Sequence, residues 1–159
     1  MIFTHERLKK KKICRLKLEE VFIEKTLVII KPDGVRRQLI GKILQHFEQK
    51  NLRILDLKMG VLTKEQLEEH YQHLKERPFF PELLAYMLSG QVVIGILEGE
   101  DAVDSVRKIV GATNPLEAQS GTIRALYGTS QTENVIHASD SVTSAADAVQ
   151  RFFKQIISV

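Results

Sequence analysis

The chain has 159 residues, 43% of them hydrophobic and 27% charged, with a single cysteine. That length and balance suit one globular domain with a sizeable core. Cys14 alone excludes an internal disulfide framework and fits a reducing compartment, and the chain lacks the run of about 18 apolar residues that a membrane span needs.

The net charge of +3 is unevenly spread. Residues 1–23 carry seven Lys or Arg against three acids, a charge of +4 that leaves −1 for residues 24–159. The near-neutral remainder gives little support to nucleic-acid binding, despite a sequence pI of about 9.0. Residues 1–23 show no clean period and read as a flexible basic extension, with the domain itself at 24–159. No apolar core follows the N-terminal charges, so the sequence predicts no secretory signal and a cytoplasmic protein.

The run at 26–31 is β-branched and apolar, the pattern of a buried strand, and Pro32-Asp33-Gly34 supplies turn chemistry to stop it. Ile40, Ile43, Leu44 and Phe47 fall at helical spacing, with Asn51 as a stop. Leu55, Leu57, Met59 and Val61 alternate as in a second strand. Thr63 and Gln66 form a capping box and Leu62 with Leu67 a hydrophobic staple. A helix therefore starts near Lys64, carries Leu67, Tyr71 and Leu74, and is broken by Pro78.

Pro81 opens a short helix reaching Leu88, and Gly90 ends it. Residues 91–98 read as a third strand, and Ala102, Val103, Val106, Ile109 and Val110 as a helix closed by Gly111. Residues 112–133 lack clear periodicity, and a loop of that length in a compact domain is usually functional or disordered. A fourth strand at 134–137 and a last helix follow, with Ala145, Val149, Phe152 and Phe153 on the helix's inner side. The order β-α-β-α-α-β-α-β-α predicts an α+β sandwich, one antiparallel sheet with helices packed on it.

Val135 and Ile136 lead into His137, and Ser139, Asp140 and Ser141 follow before the last helix. A histidine at a strand end is held by rigid backbone and can face a cleft, and neutral imidazole is a good nucleophile. Taken alone, His137 reads rather as a strand cap bonded to Asp140. Neither a P-loop nor a Gly-x-Gly-x-x-Gly run is present. Yet Lys31 ends a buried strand, Arg107 precedes the long loop, and Arg124 stands where that loop re-enters. Phosphoryl transfer depends on converging cations, although each of these taken singly fits a solvated surface charge. Tyr71 reads as core on the inner face of its helix, and Phe79 and Phe80 as a cover for the sheet. His70 and His73 are spaced to share a metal, but no acid–histidine cluster elsewhere completes such a site.

Six stretches taken together carry a resemblance. They are Glu24-Lys-Thr-Leu-Val-Ile-Ile-Lys-Pro-Asp-Gly-Val35, Glu69-His-Tyr71, Arg77-Pro-Phe-Phe80, Gly111-Ala-Thr-Asn-Pro115, Gly121-Thr-Ile-Arg124 and Asn134-Val-Ile-His-Ala-Ser-Asp-Ser141. In order and without large gaps over residues 24–153, they resemble nucleoside diphosphate kinase. The resemblance implies a ferredoxin-like fold with a four-stranded antiparallel sheet covered by helices. It also implies transfer of the γ-phosphate from ATP or another nucleoside triphosphate to a nucleoside diphosphate. Kinetics would be ping-pong through a phosphohistidine, with Mg²⁺ held mainly by the nucleotide phosphates, and the protein a homo-oligomer. His137 becomes the nucleophile, with Ser139 supporting it from behind. Lys31, Tyr71, Arg107 and Thr113 surround the phosphates and sugar, as do Arg124 and Asn134. Phe79 stacks on the base with Leu83 nearby, and an aromatic face accepts any base.

Three departures stand out. Ala138 replaces the family's usual glycine, and Gln131 replaces a residue that is more often apolar. Ala148 stands where the family usually has a glutamate bonded to the catalytic ring. That last change predicts an impaired enzyme, or a nucleotide-binding relative acting as a sensor or scaffold, unless Ser139 or an ordered water substitutes.

Overall fold

The computed structural model describes residues 22–153. The basic segment read at 1–23 lies almost wholly outside them. Four strands form one antiparallel sheet in the order β2-β3-β1-β4, the ferredoxin arrangement. They are β1 (Ile23–Ile30), β2 (Arg53–Gly60), β3 (Val92–Glu100) and β4 (Ile136–Ala138). Seven helices of the described residues pack around the sheet: α1 (Pro32–Arg36), α2 (Ile40–Glu48), α3 (Lys64–His70), α4 (Phe80–Met87), α5 (Ala102–Val110), α6 (Ile123–Tyr127) and α7 (Val142–Phe153).

Strand β1 is central, and its alternating side chains feed two cores. Val28 and Ile30 pack with Ile43 and Phe47 of α2 and Val106 and Val110 of α5 on one face. Leu27 and Ile29 pack with Leu67 of α3, Met87 of α4 and Phe152 of α7 on the other. Burial on both faces explains why this strand reads as an unbroken apolar run. Strand β2 lies at the edge, and its alternating Leu55, Leu57 and Met59 are 38%, 41% and 55% exposed.

Several local expectations are corrected. Pro32-Asp33-Gly34 begins the one-turn helix α1, with Pro32 at a position that needs no N–H and Asp33 in the first turn. Helix α3 has its capping box but ends at His70; Tyr71 turns the chain into a single 3₁₀ turn at Gln72–Leu74. The stretch 112–133 contains α6, capped by Thr122, whose hydroxyl accepts from the Ala125 N–H. Five residues are too few to show a period. Strand β4 starts two residues late because Val135 takes φ of +63°. On α7 the buried residues are Ala145, Ala148 and Phe152, while Val149 and Phe153 are half-buried.

Candidate active site

The strand-to-helix junctions at 30–33 and 134–139 meet at one place. Lys31 N–H donates to the Val135 carbonyl at 2.9 Å, and the Val135 N–H donates to Asp33 Oδ2 at 3.2 Å. Both polar groups of a fully buried residue are thereby satisfied. A β-branched residue at positive φ is strained by about 1–3 kcal/mol, and these two bonds hold it there. Gly34 permits the approach: a Cβ on it would come within 2.9 Å of Ile30 Cγ2 and 3.0 Å of the Val135 carbonyl oxygen. After Val135 the chain turns so that His137 pairs with Ile29 of β1.

His137, Lys31 and Ser139 line one cavity of about 650 Å³, together with Tyr71, Phe79 and Leu83 on one side. Arg107, Thr113, Arg124 and Asn134 line the same cavity. Gln131 and Ala138 do so too, and Ala148 does not. Lys31 Nζ donates to Asn134 Oδ1 at 2.7 Å, and Asn134 Nδ2 donates to the carbonyls of Thr113 and Gln131, each at 2.9 Å. Arg124 donates from Nη1 to the Gly111 carbonyl at 2.9 Å and from Nη2 to the Ile136 carbonyl at 2.8 Å. Gly111 has φ of +86°, and a Cβ there would run into Thr122. Phe79 is 51% exposed at the rim, so its ring is open to stacking.

Charge is concentrated here although the domain is near neutral. Burial brings Lys31 down to about 8, with Arg124 adding to the fall and Asp33 opposing it. Burial, then Arg107, brings Arg124 down to about 10. Burial holds His137 well below the ordinary imidazole value, helped by His70, Lys31 and Arg124, so the ring is neutral at pH 7.

The second ring nitrogen of His137 meets a side chain that the sequence reading weighed only as half of a metal pair. His70 Nε2 lies 3.1 Å from His137 Nε2, with the two rings nearly perpendicular. Behind His70, Arg151 Nη1 lies 3.4 Å from its Nδ1, and Arg151 Nε lies 2.9 Å from Glu69 Oε1. Ser139 lies in the cavity wall, but its Oγ is buried and makes no hydrogen bond among the described residues. Its N–H donates to the Leu27 carbonyl at 3.1 Å. His70 was within reach as the neighbour of Tyr71 in Glu69-His-Tyr71, whereas nothing in the chain marks Arg151. Among the described residues no three His, Cys, Asp or Glu side chains gather as a metal site.

The family model for nucleoside diphosphate kinase matches residues 24–156. The chain is 52% identical over 132 residues to a nucleoside diphosphate kinase of Campylobacter jejuni, covering 83% of this chain and 96% of that one. It is 46% identical over 134 residues to that of Acetivibrio thermocellus, covering 84% and 98%. Among solved structures, the Aquifex aeolicus nucleoside diphosphate kinase superposes with a TM-score of 0.80 at 45% identity, over 83% of this chain and 96% of that one. The apo enzyme of Encephalitozoon cuniculi gives 0.81 at 43%, over 82% and 88%. Fold and sequence agree, and the chain belongs to the nucleoside diphosphate kinase family of phosphotransferases.

Proposed function

We propose that this chain carries the γ-phosphate of a nucleoside triphosphate to a nucleoside diphosphate by way of His137. The observation that carries the reading is a neutral histidine, fixed at one ring nitrogen, in a cavity also lined by Lys31, Arg107 and Arg124. With Nε2 engaged by His70, Nδ1 is the attacking atom. Its lone pair forms a bond to the γ-phosphorus while the bond from that phosphorus to the β–γ bridging oxygen breaks. The nucleoside diphosphate leaves with the bridging electrons. A second diphosphate then takes the phosphoryl group back through its terminal oxygen, which is ping-pong behaviour.

The three cations offset the charge on the equatorial oxygens, where phosphoryl transfer is mostly positioning and electrostatics. Asn134 and Thr113 present polar groups to the phosphates and sugar. Tyr71 stands edge-on to His137 with ring centroids 5.8 Å apart, and burial raises its hydroxyl well above the ordinary value, so it stays a neutral donor. Phe79, with Leu83 beside it, offers an apolar face that does not read base edges, which favours ATP and other nucleotides alike.

Asp140 and Asp147 are the carboxylates on the cavity wall. So sparse a donor set fits Mg²⁺ carried on the nucleotide's own phosphate oxygens rather than caged by protein. When bound, Mg²⁺ neutralises phosphate charge.

Two further readings concern the molecule's setting. The exposed Leu55, Leu57 and Met59 on an edge strand favour a second copy of this chain covering β2. Leu57→Lys should then shift the sedimenting mass downwards. The lone cysteine favours a reducing, cytoplasmic setting, and among the described residues no helix is long and apolar enough to cross a membrane.

The reading is tested by incubation with γ-labelled ATP and no acceptor. Acid-labile, alkali-stable label should appear on the wild type and not on His137→Ala, and adding a diphosphate should remove it. Equal labelling of the two proteins would overturn the assignment.

A further inference from the structure

We infer that His70 is the positioning residue for His137, holding its Nε2 in the role that the family's usual glutamate, here Ala148, cannot fill. The inference rests on His137 being the nucleophile. When Nδ1 gives its lone pair to phosphorus, the proton of the neutral ring has to sit on Nε2, and an acceptor there fixes both tautomer and ring angle. The Ala148 methyl cannot accept, and Ser139 Oγ makes no hydrogen bond. His70 Nε2 is at 3.1 Å, a normal hydrogen-bond distance.

Packing fixes the helper as firmly as it fixes the nucleophile. Tyr71 and Phe152 stand edge-on to the His70 ring, at centroid distances of 4.7 and 5.0 Å. Burial, then Arg151 and His73, brings His70 down to about 4. It is therefore neutral at pH 7 and carries one donor and one acceptor nitrogen.

The direction of the hydrogen bond follows from Arg151, which only donates. With Arg151 Nη1 against His70 Nδ1, the His70 proton sits on Nε2 and points at His137 Nε2. The His137 proton is then on Nδ1, and the attacking nitrogen is blocked. In the reactive arrangement the polarity is reversed: His137 Nε2–H donates to His70 Nε2, and His70 keeps its proton on Nδ1. Each ring moves one proton between its own nitrogens, so no net proton is gained or lost. Arg151 must then turn from His70 Nδ1, and its ion pair with Glu69, Nε 2.9 Å from Oε1, gives the guanidinium another partner.

The test is single-turnover phosphorylation from ATP, read beside nucleotide affinity, for the wild type, His70→Ala and His70→Gln. Losing an orienting partner commonly costs about 10–100-fold at metal-bound histidines, and a similar fall in phosphorylation rate is expected for His70→Ala. Affinity should stay within about twofold, because the cations that hold phosphate are untouched. His70→Gln sets an amide oxygen near the place of Nε2 and should recover most of the rate. A wild-type rate in His70→Ala would overturn the inference. So would a parallel loss of rate and affinity in both variants, the mark of a structural role. If the wild type itself takes no label, the nucleophile assignment fails instead.

Discussion

Asp33 reaches across 102 positions of sequence to accept the backbone N–H of Val135, two residues before His137. Its other oxygen accepts the Tyr86 hydroxyl. Burial, then the bond to Asp33, raises that hydroxyl well above its ordinary value, so it remains a donor at neutral pH. One buried carboxylate thus receives two donors and keeps a strained residue in place.

Asp33→Asn should break this arrangement although it barely changes the volume. The amide nitrogen can avoid the Val135 N–H only by facing Tyr86, whose hydroxyl then accepts from it and loses the acceptor for its own proton. Leaving one buried donor unpaired costs about 1–3 kcal/mol. Denaturant unfolding should record that loss, and labelling of His137 should slow as residues 135–137 relax. Unchanged stability would mean that packing alone holds Val135.

These long-range contacts show where sequence reading reached its limit. The four strands and the larger helices were legible because their apolar periods are long and their caps local, as at Thr63 and Gly111. The residues expected around the nucleotide share the lining of a single cavity among the described residues. Late initiation of β4 was not legible, since positive φ at a valine arises from partners 102 residues away. The His70–His137 contact escaped for a similar reason. Whether Ala148 removes a function depends on which other side chain meets the His137 ring, and spacing within α7 does not reveal that.

Lys31 should make nucleotide affinity and stability respond to alkali in opposite directions. In the folded, nucleotide-free protein it loses its proton near 8, against 10.5 for a solvated lysine. Between those values the unfolded chain binds more protons than the folded one, so this residue's contribution to stability rises with pH. Over the same interval the free protein loses a phosphate-facing charge, and ATP affinity should fall. Lys31→Met should remove the part of each slope due to this group. Titration calorimetry and thermal unfolding from pH 7 to 9.5 check both arms, and parallel slopes would contradict the assignment.

Arg151→Leu gives the sharpest test of how the two histidines are coupled. Arg151 donates towards His70 Nδ1 at 3.4 Å, which favours the polarity that leaves a proton on the attacking nitrogen of His137. Leucine cannot donate, so the reverse polarity becomes easier to reach. The rate of His137 phosphorylation should rise severalfold; about 1.4 kcal/mol of relief would be tenfold. The His70 value should climb from about 4, since Arg151 is the second cause of its depression after burial. Stability should fall by no more than about 1 kcal/mol from the lost ion pair, because Glu69 is largely exposed and regains water. Stopped-flow phosphorylation gives the rate, and ¹⁵N chemical shifts of the two imidazoles report which nitrogen carries each proton. A slower variant with His137 still protonated on Nδ1 would show that Arg151 assists attack rather than opposing it.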